Sequence, residues 1–567
     1  MQKGMSKLQI RAEVLLMLQQ LSCFEDVPKY EIDKYIKQFK ETEDIDSILE
    51  ILMKELARCD DKKSQIIAYF LAELGSLEKL RDGLWDYIKD PASPDSLKDL
   101  SGIILKSLGE VATPEELLSY LNNPEELVDR ETQKLMELAS INPEAQIDFL
   151  DFLFSLPESE QINLINSIVN DSAEQHLANI LIPALKASTS DELSAIIIDI
   201  LGQIRSPYAV PVLNDIKKYS RNNNLIKLVQ KSLNMLKISG IDLKAAESKS
   251  LGTEVCEVSG IYKCYASIID GAGNQGIIVS RKKENGDILT FSTVINDTDG
   301  IIDCFGFYGI STDDYTRIIN RFRGELDAVR VSPEYCKYKL LQAEQINKSL
   351  NNPICYEYVS WKSLISDVKP ACVDVFAQNI LTWSNPDFID KSDILFSHSI
   401  FDTWFLTEKY SEYMDNFFDE NLKDILKNKD NYKNEPEKFL NQMNLKVSQV
   451  ISDVFTPELK ILYSTRLAET SYLLDIQGVE FLRNVAASVS VKLKEADTRC
   501  ADIIFFDYLL KKSVIEYLLR YQYNLEQKAA PAYKSLWKKE KPLVNIDVTT
   551  QGLSDIIDIL TQAWRKE

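Results

Sequence analysis

A short pattern that occurs twice in the first half of the chain constrains the fold most. It runs Leu-Gly-x-(Ile/Val)-x-(Ser/Thr)-Pro at residues 108–114 and again at 201–207, and an apolar segment with helical spacing follows each copy. Glycine can end a helix or let another helix pack closely, whereas serine or threonine can cap the next helix and proline suits its first position. The pattern therefore predicts a helix–turn–helix junction at both places.

Similar turn signals lie near residues 75, 139 and 170, so the five turns recur every 30 to 34 residues. A helix–turn–helix unit of this size cannot bury its apolar face alone, but a stack of such units can. The series predicts an α-solenoid over residues 1–245.

The segment AIIIDILGQIRSPYAVPVLNDI, Ala195 to Ile216, resembles the short HEAT-like repeat named after phycobilisome lyases. That family favours L-G-x-[I/L]-G-[D/S]-P-x-A-V-P-x-L, and Arg205 stands where the family has its second glycine. The resemblance covers roughly residues 60–240. It implies a curved α-solenoid whose surface binds other proteins.

Enzymes with similar repeats find little support in this sequence. Deoxyhypusine hydroxylase depends on repeated His-Glu metal pairs, but neither His176 nor His398 is followed by glutamate. HEAT-like DNA glycosylases need a positively charged concave face, and no residue signature of a bilin lyase is present. We therefore expect no cofactor, and we expect His398 to be a hydrogen-bonded structural residue.

The charge balance limits the partners of this chain. It has 65 basic and 87 acidic residues, a net charge of −22, which repels nucleic acid and anionic membranes unless a local basic patch overrides it. The nine cysteines form no C-x-x-C pair, and no apolar run is long enough to span a bilayer. The expectation is a cytoplasmic protein with protein partners and no membrane contact.

Residues 255–350 change from helical to alternating periodicity and predict an α+β module with an antiparallel sheet. Strands are expected around 256–268, after Gly276 and over ILTFSTVI, with a hairpin turn at Asn285-Gly286. A helix near 311–322, a short strand DAVRV and a helix over 333–350 complete the module. Residues 356–567 predict a C-terminal helical domain, so the fold class is mainly α.

The loop between the first two strands contains Gly271-x-Gly273-x-x-Gly276, the glycine spacing of a dinucleotide-binding loop. That loop requires a following helix whose N-terminus holds the phosphates, but a β-branched, strand-like segment follows Gly276. The prediction is a hairpin connection in which the glycines supply positive φ angles, without a bound nucleotide.

Carboxylates concentrate immediately after the third strand, at Asp297, Asp299 and Asp303. A calcium loop would need a further ligand before its glycine and a glutamate at its end, and neither is present. A turn between strands explains these residues, and a metal-dependent enzyme at this loop is the alternative hypothesis.

Two basic clusters could bind an acidic partner or RNA. A charged strand end and the polar side of a helix explain the same residues without a ligand. The candidate interaction residues are Arg281, Lys282, Lys283, Arg317, Arg321 and Arg323 in the α+β module, and Trp537, Lys538 and Lys539 in the tail.

The sequence as a whole predicts a non-enzymatic interaction scaffold or adaptor that uses a HEAT-like solenoid surface. A nucleic-acid-associated factor is the first alternative, and the metal-dependent enzyme at residues 297–303 is the second. No catalytic residue is assigned, because the sets that nucleophilic catalysis needs are missing.

Overall fold

The computed structural model of the 567-residue chain describes residues 7–24, 27, 29–42, 44–111, 116–117, 119–124, 135–171, 174–247, 259–406, 434–529 and 550–564. Over these residues the protein is mainly helical with one antiparallel sheet in the middle of the chain, as the sequence predicted, and this sheet has five strands. Within the described ranges, no helix has the length and apolarity needed to cross a membrane.

The part of the chain before the sheet is built from helices. They are α1 (Lys7–Ser22), α2 (Lys29–Lys40), α3 (Ile45–Leu56), α4 (Asp61–Leu74), α5 (Leu77–Lys89), α6 (Asp95–Ser107), α7 (Pro143–Ser155), α8 (Glu158–Asp171), α9 (Glu174–Ala187), α10 (Asp191–Gln203), α11 (Ala209–Tyr219), α12 (Asn223–Ile238) and α13 (Leu243–Ala246). Residues 135–141 are helical as well.

These helices pack around two separate apolar cores. The first contains buried side chains between Ile10 and Leu105, and the second contains those between Met136 and Ala246. Neighbouring helices such as α5 and α6, or α10 and α12, lie against each other. Each core therefore forms largely from helices that are close in sequence.

The two copies of the glycine pattern use their glycines differently. At Gly109, φ is +95°, its N–H donates to the Lys106 carbonyl, and the N–H of Glu110 donates to the Leu105 carbonyl. This is a Schellman ending of α6, which needs a left-handed residue. Gly202 instead remains inside α10, where a Cβ atom would lie 2.6 Å from the Cβ and 2.8 Å from the Cα of Ser232 on α12.

The capping prediction at the second copy was wrong in detail. Helix α11 begins at Ala209, its N-cap position is Tyr208, and no side chain caps it. Ser206 and Pro207 instead form a tight turn, in which their carbonyls accept from the N–H groups of Ala209 and Val210, both at 3.3 Å. The corresponding Thr113-Pro114 pair lies outside the described residues.

The central sheet has the strand order β4-β3-β2-β1-β5, and all its pairs are antiparallel. The strands are β1 (Ser259–Ala266), β2 (Asn274–Lys283), β3 (Ile288–Asn296), β4 (Gly300–Ile310) and β5 (Val329–Val331). The four predicted strands are confirmed, including the turn at Asn285-Gly286, where the φ of Gly286 is +95°. Strand β4 was not assigned from the sequence, because its residues were interpreted only as a turn.

Helices cover both faces of this sheet. Helix α14 (Thr312–Leu326) packs Tyr315 and Ile319 against Tyr265 and Ile278 on one face. Helix α15 (Pro333–Leu350) contributes to the core on the opposite face. Alternation along each strand supplies both faces with apolar side chains.

The C-terminal part consists of helices and 3₁₀ segments that pack on the α15 face of the sheet. The helices are α16 (Tyr356–Trp361), α17 (Val373–Trp383), α18 (Pro436–Val454), α19 (Pro457–Gln477), α20 (Glu480–Leu493), α21 (Ile504–Ala529) and α22 (Thr550–Trp564). One apolar core runs from Cys264 in β1 to Trp564 in α22. The predicted segments 255–350 and 356–567 therefore share a core.

The close contact at Gly202 is testable by Gly202→Ala, because the added methyl group would meet the backbone of Ser232. Overpacking costs about 1–3 kcal/mol, more than the helix propensity gained, about 0.5–1 kcal/mol. We expect urea unfolding to show a net loss of stability. Gly324→Ala in α14 is the control, because no atom lies within 4 Å of its added methyl group. Equal or higher stability of Gly202→Ala would contradict the close packing of α10 against α12.

Candidate functional site

The glycine-rich loop connects β1 to β2 as a hairpin, as predicted. Of its glycines, Gly273 has a positive φ of +90°, whereas Gly271 and Gly276 do not. A Cβ on Gly271 would lie 2.7 Å from the backbone nitrogen of Phe405, and one on Gly276 would lie 2.8 Å from the Phe322 ring. The expectation that all three glycines supply positive φ was therefore wrong, because two of them are required by close packing.

Arg466 of α19 holds this loop from the side of the C-terminal helices. Its guanidinium donates to the carbonyls of Gly271 and Ala272, the latter at 3.1 Å. A phosphate-binding loop presents its N–H groups to the ligand, but here the carbonyls point inward to a buried cation. The geometry gives no support to a nucleotide at this loop.

The same guanidinium forms a two-pronged ion pair with the carboxylate of Asp297, at 2.7 Å from Nε and 2.9 Å from Nη2. Asp303 accepts at 2.9 Å from the backbone N–H of Cys304. Among the described residues, no group of three or more His, Cys, Asp or Glu side chains could hold a metal ion. The geometry therefore gives no support to the alternative of a metal-dependent enzyme at this loop.

Arg281 was predicted to belong to an exposed basic face, and this was wrong. Its side chain is buried, donates to the Leu364 carbonyl and pairs with Asp367. Because consecutive strand residues point to opposite faces, Arg281 faces the core beside α15 while Lys282 faces the other way.

The remaining predicted basic residues of the module do not form a concentrated positive surface. Lys283 lies 4.1 Å from the centre of the Tyr308 ring. Arg317 and Arg321 on α14 pair with carboxylates of the same helix, Asp314 at 3.3 Å and Glu325 at 2.9 Å. The exposed residues Lys282 and Arg323 lie on β2 and α14, whereas Trp537, Lys538 and Lys539 lie outside the described residues.

A cleft where the N-terminal helices meet the central module is the candidate site that the sequence did not reveal. Helices α7, α9 and α11 form one wall, and α15 and α16 with the following 3₁₀ turn form the other. It has two adjoining chambers of about 240 Å³ and 580 Å³, which share Lys186, Asp215, Glu344 and Lys362. Ligand sites occur preferentially at such junctions between structural units, and their volumes are commonly about 300–1,000 Å³.

A proline inside α9 shapes the floor of this cleft. Pro183 has no N–H, so the carbonyl of Asn179 lacks its usual helical donor. The side-chain amide of Gln146 on α7 donates to that carbonyl at 2.9 Å, and the Asn179 amide donates to the Ser140 carbonyl at 3.0 Å. These bonds link α9 to α7 and to the segment 135–141, at a point in α9 that precedes Lys186.

Charged groups from four separate segments, α9, α11, α15 and the 3₁₀ turn after α16, meet in the cleft. The carboxylate of Glu344 on α15 accepts from the Tyr358 hydroxyl at 2.8 Å and from Lys362 Nζ at 3.2 Å. Burial would raise the pKa of Glu344, but Lys362, Lys186 and the hydrogen bonds outweigh burial and lower this pKa to about 2. Asp215 on α11 pairs with Lys348 at 2.8 Å. Both carboxylates that the two chambers share are thus paired with a lysine.

Lys186 is the cation left over in this arrangement. Its ammonium forms no hydrogen bond or ion pair with any residue that the structure describes, although its side chain is half-buried and lines both chambers. Burial, reinforced by the charge of Lys362, lowers the pKa of Lys186 to about 7 from an ordinary value of 10.5, despite the opposing effect of Glu344. A desolvated, unpaired ammonium in a cleft is typical of functional lysines.

The histidines have structural surroundings in this fold. Nδ1 of His176 lies 2.7 Å from the Ser140 hydroxyl near the floor of the cleft. Nδ1 of His398 accepts at 3.3 Å from the backbone N–H of Ile400 and so caps a short 3₁₀ turn. The expectation of a hydrogen-bonded His398 is confirmed.

One signal in the sequence could have indicated the cleft. Pro183 interrupts an otherwise regular apolar helical pattern, and a lysine follows it three residues later.

Comparisons of this chain with protein-family models, with curated proteins and with solved structures found no match.

The buried pair of Arg466 and Asp297 leads to a stability prediction. Arg466→Met leaves the Asp297 carboxylate without its partner, and breaking one side of a buried pair costs about 3–5 kcal/mol. We expect a loss of this size in urea unfolding and a smaller additional loss when Asp297→Asn is combined with it. Arg321→Met, which breaks the exposed pair with Glu325, is the control, with an expected loss of about 1 kcal/mol or less. Similar losses from both arginine variants would contradict this assignment.

The lowered pKa of Lys186 predicts a dependence of stability on pH. Because the pKa falls from 10.5 to about 7 on folding, the unfolded chain binds more protons between these values. The penalty for burying the ammonium is therefore fully present below pH 7 and is relieved as the pH rises above it. Lys186→Met should raise the urea midpoint at pH 6, and this gain should shrink by pH 9. The exposed Lys231→Met is the control, and parallel pH profiles for both variants would exclude the predicted effect.

Proposed function

We propose that this chain is a non-enzymatic interaction protein whose N-terminal helices form a HEAT-like solenoid and bind another protein. Support comes from the turn pattern in the sequence, from helices that pack on near neighbours in two successive cores, and from the close helix contact at Gly202. The role is that of a scaffold or adaptor, in which the central sheet and C-terminal helices form the base that carries the solenoid.

The observation that carries this proposal is a set of exposed apolar side chains on two helical segments that follow each other in sequence. Leu135, Leu138 and Ile141 are 44%, 47% and 44% exposed on the helical segment 135–141, and Phe152 on α7 is 55% exposed. We call these four residues the apolar surface. Met136 and Ala139 of the same segment are buried, so the helix has an apolar side toward solvent in addition to its core side. Exposed apolar groupings of this kind commonly mark binding sites for proteins.

The net charge of −22 favours a basic protein as the partner. Acidic proteins attract basic ones over distances near the Debye length, which raises the association rate at low salt. The nucleic-acid alternative has weaker support, because the buried Arg281 and the ion pairs of Arg317 and Arg321 remove charge from the predicted basic face.

The test is an affinity pull-down from native lysate at low and moderate salt, with the recovered proteins quantified. We expect one protein to be recovered in a near-equal molar amount. Leu138→Glu and Phe152→Glu should each lower its recovery at least tenfold, which corresponds to about 1.4 kcal/mol of binding free energy. Ile461→Glu on α19 is the matched control, because Ile461 is 65% exposed but lies on the C-terminal helices.

Two results would contradict the proposal. Failure to recover any protein in near-equal amount would count against a scaffold, and equal recovery with all three variants would exclude the apolar surface. Recovery of RNA or DNA, with a steep loss as salt rises, would favour the nucleic-acid alternative.

A further inference from the structure

We infer that the cleft between the N-terminal helices and the central module is a binding site for a monocarboxylate with an apolar body, whose carboxylate pairs with Lys186. The inference does not rest on the proposed scaffold function. It follows from the charges that line the cleft, from its apolar walls and from its position between two structural units.

The charges identify the ligand as a single negative charge. Glu344 is paired with Lys362, and Asp215 is paired with Lys348. Lys337 Nζ donates to the Ile365 carbonyl at 3.0 Å. Lys186 alone among these lysines has no bond to a described residue, so the cleft lacks one anionic group. A carboxylate at Lys186 would supply it and would form a charge-assisted hydrogen bond.

The walls around this cation identify the remainder of the ligand. The smaller chamber is lined by apolar side chains from both sides of the cleft, and it is open to solvent beside the partly exposed Ile141 and Leu341. Its apolar lining residues include Ile141, Pro143, Ile182, Pro183, Pro211 and Leu341. A fully hydrated anion such as phosphate would leave the apolar side chains of these walls in contact with water, whereas an aliphatic or aromatic acid would cover them.

The ordinary structural explanation of Lys186 accounts for only part of these observations. Lysine in the last turn of a helix interacts favourably with the helix dipole, and Lys186 lies in the last turn of α9. However, interaction with the helix dipole stabilises the charged ammonium, so by itself it would not lower the pKa of Lys186. The position of Lys186, half-buried beside Lys362 in the lining that the two chambers share, is what a ligand site would require.

The test uses the reactivity of the amine in the wild-type protein. Acetic anhydride at pH 7 acetylates neutral amines, so Lys186 should react faster than the exposed Lys231, which serves as internal control in the same mass spectrum. Hexanoate or benzoate should slow the acetylation of Lys186 at least fivefold, because the bound carboxylate keeps the ammonium protonated. Hexanol, benzyl alcohol and inorganic phosphate should leave the rate unchanged, and neither acid should alter the rate at Lys231.

A second measurement separates binding from a general effect on reactivity. Hexanoate should raise the thermal unfolding temperature of the wild-type protein and of Lys231→Met, but not that of Lys186→Met, whose apolar side chain preserves the packing. The groups facing Lys186 from the other elements are Asp215, Glu344, Lys348, Tyr358 and Lys362. Both measurements are made at pH 7, where the carboxylate of Glu344 is ionised.

The source of the carboxylate is distinguished by a peptide arm. A hexapeptide with an apolar C-terminal residue is compared with its C-terminal amide. Stronger protection of Lys186 by the free acid than by hexanoate would identify a peptide C-terminus, whereas protection by hexanoate alone would identify a small organic acid. Unchanged acetylation of Lys186 with every acid and with the free-acid peptide, or equal protection by phosphate, would overturn the inference. The scaffold proposal would survive that outcome, because its test depends on Leu138 and Phe152, which do not line the cleft.

Discussion

The buried guanidinium of Arg466 joins the central sheet to the C-terminal helices. It lies between the β1–β2 loop and α19, where it binds two loop carbonyls and both oxygens of Asp297. A charge in this position is tolerated only because its donors are satisfied in one geometry. The interaction connects the sheet to the C-terminal helices, and one apolar core continues from β1 to α22. Helix α15 packs between them, and its opposite side presents Glu344 to the cleft.

The sequence predicts those parts of the fold that are formed by residues close together in the chain. Alternating apolar residues and the Asn285-Gly286 turn predicted the hairpins correctly, because strand pairs with short turns are local. The same alternation determines where Arg281 lies, because Arg281 and Lys282 are neighbours in a strand and must face opposite ways. The two residues therefore cannot belong to one basic cluster on one face of the sheet. The partner of Arg466 could not be predicted, because Asp297 is distant in sequence and nothing near either residue indicates the pair.

The cleft was inaccessible to sequence analysis for the same reason. Lys186, Glu344 and Lys362 belong to separate segments, and each is an unremarkable residue in a helical or turn sequence. Only Pro183 was a visible irregularity, and its role depends on Gln146, which replaces the missing backbone donor from another helix. Gly109 and Gly202 show that one sequence pattern can also lead to two different local structures. They occupy equivalent places in one sequence pattern, but one ends a helix and the other admits a neighbouring helix.

The energetics of Lys186 connect these observations to function. A half-buried ammonium without a partner lowers stability, whereas a methionine of similar length would bury the same methylene groups without that penalty. Lys362 increases the penalty, because it places a second cation nearby while its own charge is compensated by Glu344. An anion bound at Lys186 would reduce this penalty, because it would pair with the ammonium. Part of the energy spent on burying Lys186 in the free protein is therefore returned as affinity when a carboxylate enters the cleft.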